Sequence, residues 1–174
     1  MANSDTPRGA WPIESMLGPS LDTYRTLPFK VKASQTIYYG DIVSADATGT
    51  VVASTANDGV IVVGVAAEYK VGNASGTTDI AIWPASWYIF GIQSDSGTAT
   101  TAADVFATAN HVAGSGDATT KVSGHELDSD DIGTGLQMRI LGLDPTSGNA
   151  WGEHSILRVM FNECILIPNG GATV

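Results

Sequence analysis

The sequence predicts an all-β protein, a compact β-barrel or sandwich preceded by an extended N-terminal arm. Three observations carry this. Short runs rich in β-branched and aromatic residues recur along the chain, separated by Gly, Asp, Asn, Ser and Pro. Apolar residues alternate with polar ones at a period of two, not at helical spacing. Four of the seven prolines fall in the first 28 residues, where they oppose both helix interiors and central strands.

The arm is expected to span residues 1–28, with the body at 29–174. Pro7, Pro12, Pro19 and Pro28 keep the arm out of the sheet in this reading, so deleting residues 1–27 is expected to leave a folded body. Yet Trp11, Ile13, Met16, Leu17, Leu21 and Tyr24 are spread along it, and so many apolar groups need a surface to lie on. Charge separates the two parts. Residues 1–32 hold four basic and three acidic side chains, net +1, whereas the remainder holds four basic and fifteen acidic ones, net −11. A slightly basic arm on an acidic body favours contact with a neighbouring copy or an acidic partner, the alternative being an arm folded back on its own barrel.

Strands follow quickly after Phe29. Ile37-Tyr38-Tyr39 and Ile42-Val43 flank Gly40-Asp41, with turns at Asp46-Ala47-Thr48-Gly49 and Asn57-Asp58-Gly59 on either side of Val51-Val52. Val60 to Ala67 is a buried strand by its length and β-branched content, and Gly64 within it marks a bulge or a close backbone approach. Asn73 to Gly76 is a loop. Asp79 to Trp83 and Trp87 to Gln93 are strands, the second with Tyr88, Phe90 and Ile92 on one face. Thr101 to His111 fits either a short helical turn or a strand.

The clearest pattern lies at Leu136 to Glu163. Leu136, Met138 and Ile140 alternate with Gln137 and Arg139. Asp144 to Asn149 then supplies a run of turn formers, because Pro presets φ, Gly accepts positive φ, and Asp, Ser and Asn bond nearby backbone. Beyond it Leu157, Val159 and Phe161 face one way, and Ile156, Arg158, Met160 and Asn162 the other. This pair is expected to close the core, with Trp151 in the connecting loop.

Composition narrows function. Of the 174 residues 43% are hydrophobic and only 15% charged, and the net charge is −10 with a pI near 4.4. Such a surface repels phosphate backbones and anionic lipid, so neither nucleic acid nor membrane is an expected partner. Cys164 is the single cysteine and lies beside Ile165, Leu166 and Ile167, which makes it a buried inert thiol. The N-terminus shows no export signal, and synthesis in a cytoplasm is expected.

Catalytic motifs are missing. Gly124-His125-Glu126-Leu127 lacks the second histidine of a zinc helix, and no G-x-S-x-G or phosphate-binding glycine loop occurs. Glu126, Asp128, Asp130 and Asp131 could hold calcium, but Arg139 stands where an EF-hand needs its closing Glu. A solvated acidic loop is the preferred reading. No catalytic residue, cofactor or metal is expected, and the protein is not expected to be an enzyme.

The opening MANSDTPRGAWPI resembles the start of a group of tailed-phage decoration (head cement) proteins. Tyr39-Gly40-Asp41-Ile42-Val43 is similar to that family's G-D-x-V strand, and Ile61-Val62-Val63-Gly64-Val65 to its ILGVV strand. Ser123 to Asp128 resembles S-G-x-E-L-D, and Leu136 to Leu143 resembles LQLRILGLV. Asn149-Ala150-Trp151-Gly152 and Val159-Met160-Phe161-Asn162-Glu163 resemble the closing N-A-W-G and V-L-I-N-E. The pieces fall in order along nearly the whole chain. Two stretches depart: Tyr88 to Gln93 replaces the usual F-E-V-Q strand, and CILIPNGGATV runs past the usual end. The resemblance implies a structural virion protein on the outer surface of an icosahedral capsid, bound to the major capsid protein and to itself as a homotrimer. Arg8, Trp11, Ile13, Met16, Leu17, Arg25 and Trp151 are the candidate capsid or inter-subunit contacts. The rival readings are another minor virion or tail protein and a carbohydrate-type β-sandwich binding module, in which Trp83, Trp87 and Trp151 would stack on sugar rings.

Overall fold

The computed structural model describes residues 3–16, 25–55 and 61–165. Two antiparallel sheets pack face to face. The larger has the spatial order β1 (Trp11–Ser15), β9 (Tyr88–Gln93), β13 (Ile156–Phe161), β12 (Met138–Leu143), β10 (Thr108–Val112), β11 (Glu126–Gly133). The smaller runs β2 (Leu27–Lys30), β8 (Asp79–Pro84), β6 (Val62–Ala66), β4 (Ile42–Ala45), β5 (Val51–Ala53). A ribbon of β3 (Thr36–Ile37) and β7 (Lys70–Val71) completes the set. The larger sheet curls until β11 meets the end of β9, where Asp95 N–H donates to the Leu127 carbonyl at 3.0 Å. The all-β expectation holds, as a sandwich with one strongly curled sheet.

The alternation seen in the sequence becomes the core between the sheets. Tyr88, Phe90 and Ile92 from β9, Met138 and Ile140 from β12, and Leu157, Val159 and Phe161 from β13 are all buried against Ile42, Val62, Val65 and Trp83. Phe90 meets Phe161 edge-on at 5.3 Å and Tyr88 at 6.0 Å, the geometry the ring quadrupole favours. Gln137 is the exception. It ends fully buried, not on the solvent side, because its side-chain oxygen is taken up by His111.

Strand β6 is buried along its whole length. Val43 pairs with Gly64 and Ser44 with Val62, so β6 advances two residues where β4 advances one. This bulge turns Val62 and Val65 into the inter-sheet core. Val63 and Ala66 go instead to a second cluster on the outer face, with Val31, Ile37, Val43, Val51, Ile80 and Ile82. A strand buried on both faces needs a continuous apolar run, which is what the sequence shows. The turn expected at Asn57 to Gly59 lies outside the described residues.

The N-terminal expectation needs correction. Residues 11–15 form strand β1, paired antiparallel with β9, and Leu27–Lys30 form β2, paired with β8. The segment is therefore laid on the body as edge strands over its described part, and the boundary at residue 28 cuts through β2. Proline is excluded from central strands, but an edge strand has one side with no ladder to complete. Pro12 sits in β1 beside a bulge at Ile13, and Pro28 is exposed in β2. Bulge and proline together also blunt these edges against further strand addition.

Two further segments are settled. Ala102–Asp104 is a 3-10 turn capped by Thr101, and β10 follows it, so both readings of residues 101–111 are realised. The acidic run at 126–131 is not a loop but the start of β11, which forms the other edge of the larger sheet.

Candidate functional site

The N-terminal segment runs along the edge of the larger sheet, with β1 beside β9. Phe90 and Ile92 point into the core, so Gly91 between them faces outward. A β-carbon at Gly91 would lie 2.5 Å from Trp11 Cε2. The indole therefore rests on bare backbone, half-buried. Arg8 covers its other side, with the guanidinium carbon 3.6 Å from the ring centroid, a cation–π stack at an exposed position. Arg8 and Trp11 form a ridge between two shallow clefts. One is lined by Thr6, Gln93 and Ile156, the other by Pro12, Tyr39 and Trp83.

The other expected contact residues divide. Ile13 is half-buried at the bulge, and Met16 is 49% exposed beyond β1. Arg25 is exposed, while its backbone carbonyl accepts the Tyr88 hydroxyl at 2.8 Å. Leu17 lies outside the described residues. Glu14 pairs with Arg158 of β13 at 2.5 Å, adding a charged clasp on the same face.

Residues 3–6 are tied down by polar bonds. The Asn3 amide donates to the carbonyls of Ala150 and Glu153 at 2.8 and 2.9 Å, and its oxygen accepts from Ala150 N–H at 3.1 Å. Buried Gln93 joins two segments through three bonds: it donates to the carbonyls of Ser4 (2.7 Å) and His154 (3.0 Å) and accepts from Thr6 N–H (3.0 Å). This brings Asp5 over Glu126 and His154. Burial, with the carboxylates of Asp5 and Asp95 adding to it, pushes the Glu126 carboxyl up to about 7. The remaining acidic residues expected to act with Glu126 are engaged elsewhere. Asp128 accepts from the backbone N–H groups of Asp130 and Asp131, Asp130 accepts from Thr98, and Asp131 from Asn110.

A second polar cluster is wholly internal. His111 and His125 are far apart in sequence but stack at 5.1 Å between centroids. His125 Nδ1 accepts from Ile42 N–H at 3.2 Å, so its proton sits on Nε2, 3.6 Å from Asp41 Oδ1. Although that spacing has the form of an ion pair, burial drives the His125 pKa down to about 3, so the ring is neutral at physiological pH. Burial likewise raises Asp41 to about 6 and lowers His111. His111 Nδ1 donates to Gln137 Oε1 at 2.7 Å, and its Nε2 lies 3.3 Å from the Ser54 carbonyl, so the ring sits between the two sheets.

No family model matches the chain, and no curated protein or solved structure matches it.

The tryptophans of the sugar-stacking alternative serve the core. Trp83 is buried, and Trp87 and Trp151 pack against the inter-sheet cluster from its margins. Trp151 follows a turn knitted by Asn149, whose side chain donates to the Asp144 and Ile156 carbonyls and accepts from Ile156 N–H. Because the indole is half-buried, Trp151→Ala is expected to lower stability by about 2–4 kcal/mol, near the low end for a core aromatic. Urea unfolding measures this; an unchanged midpoint would show that the loop does not rely on the indole. Sequence reasoning missed Gln93, Asn3 and the histidine stack. None carries a local signature, since each acts on residues distant along the chain.

Proposed function

We propose that this chain is a decoration protein of a tailed bacteriophage, bound to the outside of the mature capsid and stabilising it. Its partners are the major capsid protein and further copies of itself, arranged as a homotrimer at threefold positions. The observation that carries the reading is the ordered series of segments, from MANSDTPRGAWPI to Val159–Glu163, that resembles the cement family along nearly the whole chain. The β-sandwich and the Arg8–Trp11 ridge support it: an acidic body carries an exposed arginine stacked on an indole.

The mechanism is mass action. Seams between capsid subunits open outward as a shell matures. A protein that recognises the mature seam adds its binding free energy to that state and opposes disassembly. In a trimer the second and third contacts become intramolecular, which multiplies the grip.

Rebinding to stripped shells tests this. Trp11→Ala is expected to weaken binding by roughly 1.5–3 kcal/mol, the contribution of one buried large apolar side chain. Arg8→Ala should act mainly on association rate and salt dependence, with a smaller loss of affinity. A chain lacking residues 1–16 should bind more weakly than either. If both the truncated chain and Trp11→Ala decorate shells as tightly as the full chain, the N-terminal face is not the grip. Sedimentation and virion imaging test the trimer, and isolated monomers on the shell would overturn it.

A further inference from the structure

We propose that Asp5, Glu126 and His154 form a binding site for a divalent transition-metal ion, best matched by Zn2+, which locks the N-terminal segment to the body. The candidate ligand atoms of the three residues all lie within 4.8 Å of one another, with His154 Nδ1 3.8 Å from Asp5 Oδ1. Ligands about 2.1 Å from a tetrahedral ion stand about 3.4 Å apart, so a contraction of up to about 1.4 Å closes the set.

The state of the atoms points to a cation. Glu126 Oε1 and His154 Nδ1 are both screened from solvent, and neither has a hydrogen-bond partner. Buried polar atoms are ordinarily satisfied, and each orphan demands an explanation. These two atoms, gathered with an Asp5 carboxylate oxygen within 4.8 Å, would be jointly satisfied by a metal ion bound to the ring with Nδ1 unprotonated. One imidazole nitrogen with two carboxylates suits zinc and its neighbours, whereas calcium takes six to eight oxygens.

The surroundings hold the ligands in place. His154 adopts φ +54, a left-handed conformation that non-glycine residues rarely take. Gln93 binds its carbonyl, and the same amide holds Ser4 and Thr6 on either side of Asp5. Asn3 anchors the segment to the loop that carries His154. One buried side chain thus positions two ligands that are distant in sequence, and Glu126 is delivered by the first residue of β11. The ion would bridge the N-terminal segment, a loop and an edge strand. The inference is independent of any capsid, because the site is built from one chain.

The test uses the purified full-length protein, treated with chelator and titrated with ZnCl2 by calorimetry, with thermal melting in parallel. One saturable site of micromolar or better affinity is expected, with a rise in melting temperature that EDTA reverses. Glu126→Gln and His154→Asn, the latter because asparagine tolerates the left-handed backbone, should each weaken binding at least tenfold. Asp5→Asn should do the same and should also expose the N-terminal segment to limited proteolysis in the presence of zinc. Asp130→Asn, outside the cluster, should bind as the unmodified chain does. No saturable binding at 100 µM zinc, binding unaffected by Glu126→Gln and His154→Asn, or preference for calcium or magnesium over zinc would each overturn the assignment.

Discussion

Gly64→Ala is expected to abolish folding. Gly64 lies in β6, the strand buried on both faces, and it pairs with Pro84 of β8. A β-carbon there would stand 2.1 Å from the Trp83 carbonyl oxygen, 2.8 Å from Ile82 Cγ2 and 3.0 Å from the Trp83 carbonyl carbon. The obstacle is backbone, so no rotamer change relieves it. Nor can β8 retreat, since Ile82 is fixed in the outer cluster and Trp83 in the inter-sheet core. Ordinary overpacking costs about 1–3 kcal/mol. Moving a doubly packed strand costs more, out of a total stability of about 5–15 kcal/mol. Soluble yield and circular dichroism measure the outcome. Gly49→Ala is the control: its β-carbon meets nothing within 4 Å, and only the positive φ of an exposed turn is strained. It should cost about 1 kcal/mol. If Gly64→Ala melts within a few degrees of the unmodified protein, the pairing of β6 with β8 is not as described.

Stability is expected to be nearly level from about pH 6.5 to pH 4 and to fall steeply below. His125 titrates near 6.5 when unfolded and about 3 when folded, because burial penalises its charged form. Below pH 6.5 the unfolded chain binds a proton that the folded chain refuses, so stability falls as pH falls through this window. At about 1.4 kcal/mol per pH unit the full loss is about 5 kcal/mol. His111 is lowered for the same reason and acts in the same direction. Asp41 opposes them. Its folded pKa of about 6 exceeds the usual 3.8, so the folded chain takes up the proton first. That adds about 3 kcal/mol as pH falls from about 6 to 3.8. Glu126 acts likewise but is substantially exposed, and solvent screening reduces its share. Below pH 4 the gain from Asp41 is complete and the histidine limb continues, joined by Asp46 and Asp117, whose hydrogen bonds lower their pKa in the fold and whose protonation there also costs stability. His125→Asn keeps an acceptor for Ile42 N–H and removes the titration. Urea unfolding across pH should then show a lower midpoint at pH 7 but a shallower acid limb, by about one proton. An acid limb of unchanged slope would move the titration elsewhere.

Local pattern carried much of the fold. The β12–β13 pair, the inward face of β9 and the buried run of β6 were all legible, because a strand's side chains alternate whatever lies opposite and burial imprints that period on the residues. The turn at Asp144 to Asn149 was legible for a similar reason, since its hydrogen bonds are made within a few residues. The glycine in β6 announced a close approach, although only the structure shows that the approaching atom is the Trp83 carbonyl.

What tertiary structure alone decided is partnership at a distance. Pro12 and Pro28 argue against a central strand in any context, but whether the segment joins an edge depends on what lies beside it. Gly91 opens the place for Trp11, and nothing near Trp11 in sequence announces it. The His111–His125 stack arises from the pairing of β10 with β11, and the gathering of Asp5, Glu126 and His154 from the curl that returns β11 to β9. The sequence by itself determined the all-β class, the core faces and an N-terminal segment in need of a surface, since these follow from local periodicity and solvation. Which surface that segment covers, and which polar groups are brought together beneath it, follow from strand order and curvature, long-range properties that no local pattern encodes.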